Sequence, residues 1–358
     1  MKKILSFLAV LTLGLVLVAC GTKTYEIAMI TDTGDIDDGS FNQGTWEGIV
    51  EYATEHNKTH QYYKPAGEST EAYLAAIDLA VSGGAQIVIT PGFYFEEPIT
   101  EAQKTYPDVK FVILDGEPTT MADNTLAVYF KEAEPGFLAG YATMKEGFRR
   151  LGYMGGIAVP AVQRFGIGWV AGAYYAADEL GVEDYEYQAN DYTYLGGFAP
   201  SDNIKSTAAA WYGRGIEVIH VAAGGAGSSV MAAASESTNK WVVGVDSDQA
   251  GDSNTVISSA VKGVGQAAYD ALELFYADNF PGGEIWDLGA KEDGIGLPME
   301  TSRFKTFDQD DYDAIFEKIV DGTVKVPTTV AELDAFVDNL GYEVSEALKN
   351  NIMPPKEQ

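Results

Sequence analysis

Short apolar runs rich in β-branched residues alternate with helix-patterned stretches along almost the whole chain. That alternation restricts the fold more than any other feature. The runs lie at 26–30, 86–90, 109–114, 125–128, 152–159, 217–222, 241–245 and 256–260. Helical patterns fill 42–55, 70–82, 99–106, 135–148, 168–180, 205–213 and 228–238. Strand then helix, at a spacing of roughly 25–35 residues, reads as βαβ units and parallel sheets. The run 109–114 is apolar on both faces, as a buried parallel strand is. The alternation continues past one sheet's worth of strands, so two similar α/β lobes are expected. No repeat of solenoid period is visible. The tail adds helical patterns at 311–319 and 330–339.

The N-terminus says where such a body resides. Met1-Lys2-Lys3 is basic, 4–18 is mostly apolar, and Leu17-Val18-Ala19-Cys20-Gly21 follows. The apolar stretch is short for a membrane span and reads as a signal peptide over 1–19. Its end resembles the lipobox of bacterial lipoproteins, with Cys20 as the lipidated residue and 20–25 as a tether. Cys20 is the only cysteine, so internal disulfides and Cys-based metal or redox sites are excluded. The expected location is the extracytoplasmic face of the cell membrane, held through lipid on Cys20. The formal net charge of -30 argues against nucleic acid and against electrostatic binding to anionic headgroups.

Several chemistries fail on spacing. There is no Gly-x4-Gly-Lys-Ser/Thr phosphate loop and no Gly-x-Ser-x-Gly elbow. His56, His60 and His220 form no zinc pattern. The acidic run from Asp32 to Asp38, aligned on Gly39, puts Gly34 and Ile36 where calcium ligands belong. No metal, cofactor or catalytic residue is expected. Gly166-Ile-Gly168-Trp-Val-Ala-Gly172 narrowly misses a dinucleotide fingerprint and reads better as tight helix packing.

Six segments carry polar or aromatic groups at the carboxyl ends of strands, where open α/β sheets bind ligands. Asp32 to Gln43 offers a carboxylate, the Phe41 ring and the Asn42 amide, with Ser40 placed to cap the following helix. Asp115 ends the strand 109–114. Arg164-Phe165 follows 152–159 and precedes a helix; Gly224-Gly225-Ala-Gly227 follows 217–222. Asp246-Ser-Asp248-Gln249 and Ser259-Ala-Val-Lys262 complete the set. Taken singly, each has a bland alternative: solvated aspartates, a cap, Phe41 as a hydrophobic staple. Six together imply one shared cleft.

In their order along the chain, Asp38-Gly-Ser-Phe-Asn-Gln43, Phe137-Leu-Ala-Gly140, Gly155-Gly156, Arg164-Phe165, Gly224-Gly225-x-Gly227, Gly244-Val-Asp246-Ser-Asp248-Gln249 and Ser259-x-x-Lys262 resemble the basic membrane protein family of nucleoside-binding lipoproteins. The likeness covers essentially the whole mature chain. It implies a type I periplasmic-binding-protein fold, two Rossmann-like lobes joined by three crossover segments. Lobe 1 is expected to comprise 26–145 plus 264–284, and lobe 2 to comprise 146–263 plus 285–352. The implied function is a monomeric, non-enzymatic substrate-binding protein that passes purine nucleosides such as adenosine, guanosine or inosine to ABC permease subunits. Residue by residue, the resemblance places Phe41 and Phe165 on the two faces of the base and Asp32 and Asn42 at its edge. Asp115, Asp246 and Lys262 fall at the ribose, with Gly224 near it through its backbone. Trp169 stands where relatives carry phenylalanine, as a sharer or substitute for the stacking role of Phe165. Sugars or an autoinducer, an envelope signalling or adhesion role, and a nucleoside hydrolase acting through the Asp32–Asp38 loop are the alternatives.

Overall fold

The computed structural model describes residues 24–354. The expected signal peptide and lipobox, with Cys20, lie outside the described residues. The first sheet holds β1 (Ile27–Ile30), β2 (His60–Tyr63), β3 (Ile87–Pro91), β4 (Lys110–Leu114) and β5 (Thr125–Phe130). The second holds β6 (Leu151–Gly155), β7 (Tyr192–Tyr194), β8 (Val218–Ala222), β9 (Trp241–Asp246) and β10 (Val256–Lys262). β11 (Ile285–Leu288) returns to the first sheet and β12 (Ile295–Gly296) to the second. The orders are β11-β5-β4-β3-β1-β2 and β12-β10-β9-β8-β6-β7. All pairings are parallel except β12 on β10. This is the expected α/β architecture of two doubly wound lobes.

The helices are α1 (Phe41–Glu55), α2 (Thr70–Ser82), α3 (Glu96–Thr105), α4 (Ala133–Lys145), α5 (Pro160–Glu179), α6 (Asp202–Gly213), α7 (Gly227–Ser235), α8 (Val264–Tyr276), α9 (Gln309–Val320), α10 (Val330–Asn339) and α11 (Glu346–Ile352). α5 starts eight residues before the expected 168. Pro160 sits at its first position, where a missing N–H costs nothing. Arg164 and Phe165 therefore lie inside the helix rather than ahead of it.

Two lobe boundaries differ from expectation. Residues 285–288 belong to lobe 1, because β11 pairs with β5. α4 belongs to lobe 2, because it packs along α5, β10 and β12. Glycines set that packing. A Cβ on Gly168 would lie 1.9 Å from the Ala133 carbonyl oxygen, and one on Gly172 2.0 Å from that of Phe137. Gly168 and Gly172 of this run thus serve close helix–helix approach, and Gly166 makes room for Tyr192 and Tyr153.

The chain crosses between lobes three times, at 131–132, 263 and 289–294, and the crossings are tied together. Lys131 N–H donates to the Leu288 carbonyl (3.0 Å) and Gly263 N–H to that of Gly294 (2.8 Å). Ala290 N–H donates to Glu134 Oε2 (2.6 Å).

Candidate functional site

The carboxyl ends of the two sheets face each other across a cavity of about 1050 Å³. Asp32, Phe41, Asn42, Asp115, Phe165, Gly224, Asp246 and Lys262 all line it. Trp169 does not. It is fully buried one helical turn beyond Phe165, with its indole N–H donating to the Tyr187 hydroxyl (3.2 Å) and its ring 5.3 Å from His220. It is a core residue of lobe 2, and the second aromatic face of the cavity is Phe165.

The loop after β1 is locked by its own side chains. Asp38, not Ser40, caps α1: its carboxylate accepts from the N–H groups of Ser40 (2.9 Å), Asn42 (3.1 Å) and Gln43 (3.1 Å). A carboxyl cap that accepts from three N–H groups suits the positive end of a helix. The Ser40 hydroxyl is thereby free to reach across the cleft, donating to Asp246 Oδ2 at 2.6 Å. Asn42 Nδ2 bridges Asp32 and Asp38, both at 2.9 Å. Burial pushes the Asp32 carboxyl up to about 6, against the opposing hydrogen bonds from Gly34 and Asn42.

Opposite this loop lies a buried charge cluster. Lys262, the last residue of β10, places Nζ 2.5 Å from Asp115 Oδ2, 3.6 Å from Asp246 Oδ1 and 3.9 Å from Glu132 Oε1. Glu132, wholly buried in the first crossing, accepts on Oε2 from Arg164 Nε at 2.5 Å. Burial alone would lower the Lys262 pKa, but the three carboxylates override it and hold the pKa above its ordinary value. Burial raises Asp246 and Glu132, with Lys262 opposing in both cases. Asp115 and Asp246 both adopt left-handed backbone, with φ of 58° and 62°. Such conformations cost an ordinary residue about 1 kcal/mol or more and concentrate at functional sites. Here each turns a carboxylate off its strand end toward one point.

The rings converge on the same point. Lys262 Nζ lies 4.5 Å from the Phe41 centroid and 5.8 Å from that of Phe165. Phe165 is backed edge-on by His220, whose centroid is 5.9 Å away. Burial lowers the His220 pKa to about 4, so it is a neutral packing group. Among the described residues, no group of three or more His, Cys, Asp or Glu is placed to hold a metal ion.

Sequence reasoning missed Glu132, Tyr129 and Phe198, and gave Arg164 no role; all but Glu132 line the cavity. Glu132 follows β5 at its carboxyl end, so the rule that found Asp115 and Asp246 applied to it as well. The apolar run 125–128 stops short of the strand's true end at Phe130, so Glu132 does not stand out as a strand-end residue.

A family model described as ABC transporter substrate-binding protein, PnrA-like, matches residues 25–330. The chain belongs to this family. It is thus a substrate-binding protein of ABC transport and not an enzyme. Relatives are similar over most of their length. A CD4+ T-cell-stimulating antigen of Listeria monocytogenes is 30% identical, the match covering 88% of this chain and 95% of the relative. An ABC transporter nucleoside-binding protein, BmpA, of Lactococcus lactis is 31% identical over 85% of this chain and 89% of its own. The fold matches that of a solute-binding protein of an Aeropyrum pernix ABC transporter system, with a TM-score of 0.72 at 24% identity, covering 91% of this chain and 99% of that one. This likeness supports the type I binding-protein architecture.

Proposed function

We propose that the protein captures purine nucleosides in the cleft and delivers them to the permease subunits of an ABC importer, working as a monomer held outside the cytoplasm by lipid on Cys20. The observation that carries this reading is the Asp115–Lys262–Asp246 cluster at the convergence of Phe41 and Phe165. Aromatic faces stack on a flat base, a contribution of about 1–3 kcal/mol per base. Paired carboxylates with one ammonium suit the vicinal hydroxyls of a ribose: the carboxylates accept and the ammonium donates. Gly224, at φ 52°, brings bare backbone to the same cleft. A nucleotide fits this cluster poorly, since three carboxylates against Lys262 and Arg164 repel a phosphate. The name of the Lactococcus relative supports the same class of ligand.

Calorimetric titration with nucleosides, free bases, ribose and nucleoside monophosphates tests the reading. Ribonucleosides should bind most tightly, 2′-deoxynucleosides about five- to a hundredfold more weakly through an unmet buried acceptor, and monophosphates weaker still. Tight binding of a sugar with no response to nucleosides would replace it with a sugar-binding function. Palmitate labelling that persists in Cys20→Ala would refute the anchor.

A further inference from the structure

At the end of the cavity far from Lys262, Asp32 and Asn42 offer open acceptors, and the donors of Asn42 are already spent. Asp32 Oδ1 accepts from Gly34 N–H at 2.8 Å and from Asn42 Nδ2 at 2.9 Å. The other Nδ2 hydrogen of Asn42 goes to Asp38, and its Oδ1 accepts from Asp32 N–H at 3.2 Å. Both side-chain donors of Asn42 are therefore spent within the loop. Asp38 is itself occupied by the start of α1. Of these two side chains, what remains open is Asp32 Oδ2 and the second lone pair of Asn42 Oδ1. Gly92, just past the neighbouring strand β3, leaves Asp32 Oδ2 uncovered, since a Cβ there would come within 3.0 Å of it.

The separation of the two ends fits a nucleoside. Asp32 follows β1 and Asp115 follows β4, with β3 between them. Two inter-strand steps span about 10 Å, close to the reach from a ribose to the far edge of its purine. A base whose sugar sits at Lys262 then turns its Watson–Crick edge to Asp32.

Resting on the nucleoside reading, we infer that this site ranks purines by the donors on that edge: guanosine first, with N1–H and a 2-amino group, inosine second, with N1–H alone, and adenosine last, because its N1 is an acceptor. Guanosine can place N1–H and its 2-amino group on the open acceptors, Asp32 Oδ2 and Asn42 Oδ1, while adenosine N1 meets Oδ2 lone pair to lone pair. A buried acceptor left unmet costs about tenfold to a hundredfold in affinity, and sites that bond a polar edge reject analogues lacking it.

The ranking should narrow in acid. The Asp32 carboxyl titrates near 6, raised by burial and further by Asp38. The other titratable groups facing it are Tyr73 of α2 and Tyr94 of the 93–95 turn, both held above the ordinary tyrosine value by burial and so neutral throughout. Protonated Asp32 carries an O–H that adenosine N1 can accept.

The test is calorimetry at pH 8 with guanosine, inosine, adenosine and 1-methylguanosine on wild type and Asp32→Asn. In the variant, Gly34 N–H and Asn42 still require an oxygen at Oδ1, so the new amide nitrogen takes the Oδ2 position and presents a donor. Wild type should favour guanosine over adenosine by about tenfold or more and lose a similar factor for 1-methylguanosine. Asp32→Asn should invert the order. Equal affinities in wild type, or an unchanged order in the variant, would overturn the inference while leaving the nucleoside reading intact. Binding of no nucleoside by wild type would overturn both. The 1-methylguanosine comparison, and the guanosine-to-adenosine ratio at pH 5 against pH 8, use wild type alone and decide the matter even if the variant does not fold.

Discussion

Replacing Lys262 with Met removes the one cation that touches Asp115, Asp246 and Glu132 together. At 2.5–3.9 Å each contact is worth roughly 4–7 kcal/mol of gross attraction at an effective dielectric of about 20. Most of that offsets the cost of taking the ammonium out of water. Breaking a buried pair leaves an uncompensated charge and costs about 3–5 kcal/mol net. The loss depends on pH, and its sign follows from the carboxyls. Asp246 and Glu132 are already raised in the folded protein, and without Lys262 they rise further. A raised acid binds more protons folded than unfolded, so stability falls as pH climbs from the unfolded carboxyl value, near 4, to the folded one. Lys262→Met should therefore melt about 6–12 °C below wild type at pH 8 and recover part of the gap at pH 5. Each unit of additional pKa rise contributes about 1.4 kcal/mol to that recovery. Ligand-free urea denaturation of both proteins at pH 5 and pH 8 measures it. A stability difference that is the same at both values would show that the carboxylates are not held by this ammonium, and would remove the electrostatic account of the cluster.

Phe41→Ala should weaken nucleoside binding roughly ten- to a hundredfold with little change in ligand-free melting, whereas Trp169→Phe should lower melting and leave affinity alone; the reverse pattern in calorimetry would return Trp169 to the site. Gly168→Ala should destabilise by about 1–3 kcal/mol through the clash with the Ala133 carbonyl, read from denaturant midpoints; no effect would mean that α4 and α5 separate freely. Asp38→Ala should cost about 1–2 kcal/mol as a lost cap, while Ser40→Ala should leave ligand-free stability nearly unchanged and weaken ligand binding, because its hydroxyl spans the lobes rather than capping α1. Equal melting losses for those two variants would contradict the capping assignment.

The parallel core strands were legible because burial on both faces leaves an uninterrupted apolar run, as in Ile87–Pro91 and Lys110–Leu114. The edges were not. β2 reads His-Gln-Tyr-Tyr and is half-exposed; β12 has two residues. β11 was invisible for a topological reason: Ile285–Leu288 returns to a sheet whose other strands ended 155 residues earlier in the chain, at Phe130, and no local pattern records which sheet a strand joins. At the site, residue type and strand-end position identified Asp115, Asp246 and Lys262. The role of Ser40 was not readable, because its partner lies 206 residues away, and a serine before a helix is ordinarily a cap. Trp169 was misplaced because α5 begins at Pro160, which puts 169 in the third turn, against the core.

The cluster at the cavity is also the cluster that joins the lobes. Asp115 belongs to lobe 1 and Asp246 to lobe 2, while Glu132 and Lys262 stand at the first and second crossings. Lys262 is therefore bonded at once to each lobe and to the pivot. Opening the cleft about the crossings would carry Asp115 and Ser40 away from Asp246 while Glu132 stayed with Arg164 and Lys262. The buried Oδ1 of Asp115 and Oε1 of Glu132 have no hydrogen-bond partner among the described residues. A hydroxyl-bearing ligand that donates to Asp115 and to Asp246 at once supplies the missing partner and ties one lobe to the other. Recognition of the ligand and closure of the cleft then draw on the same few bonds, and a ligand lacking those donors would forfeit both.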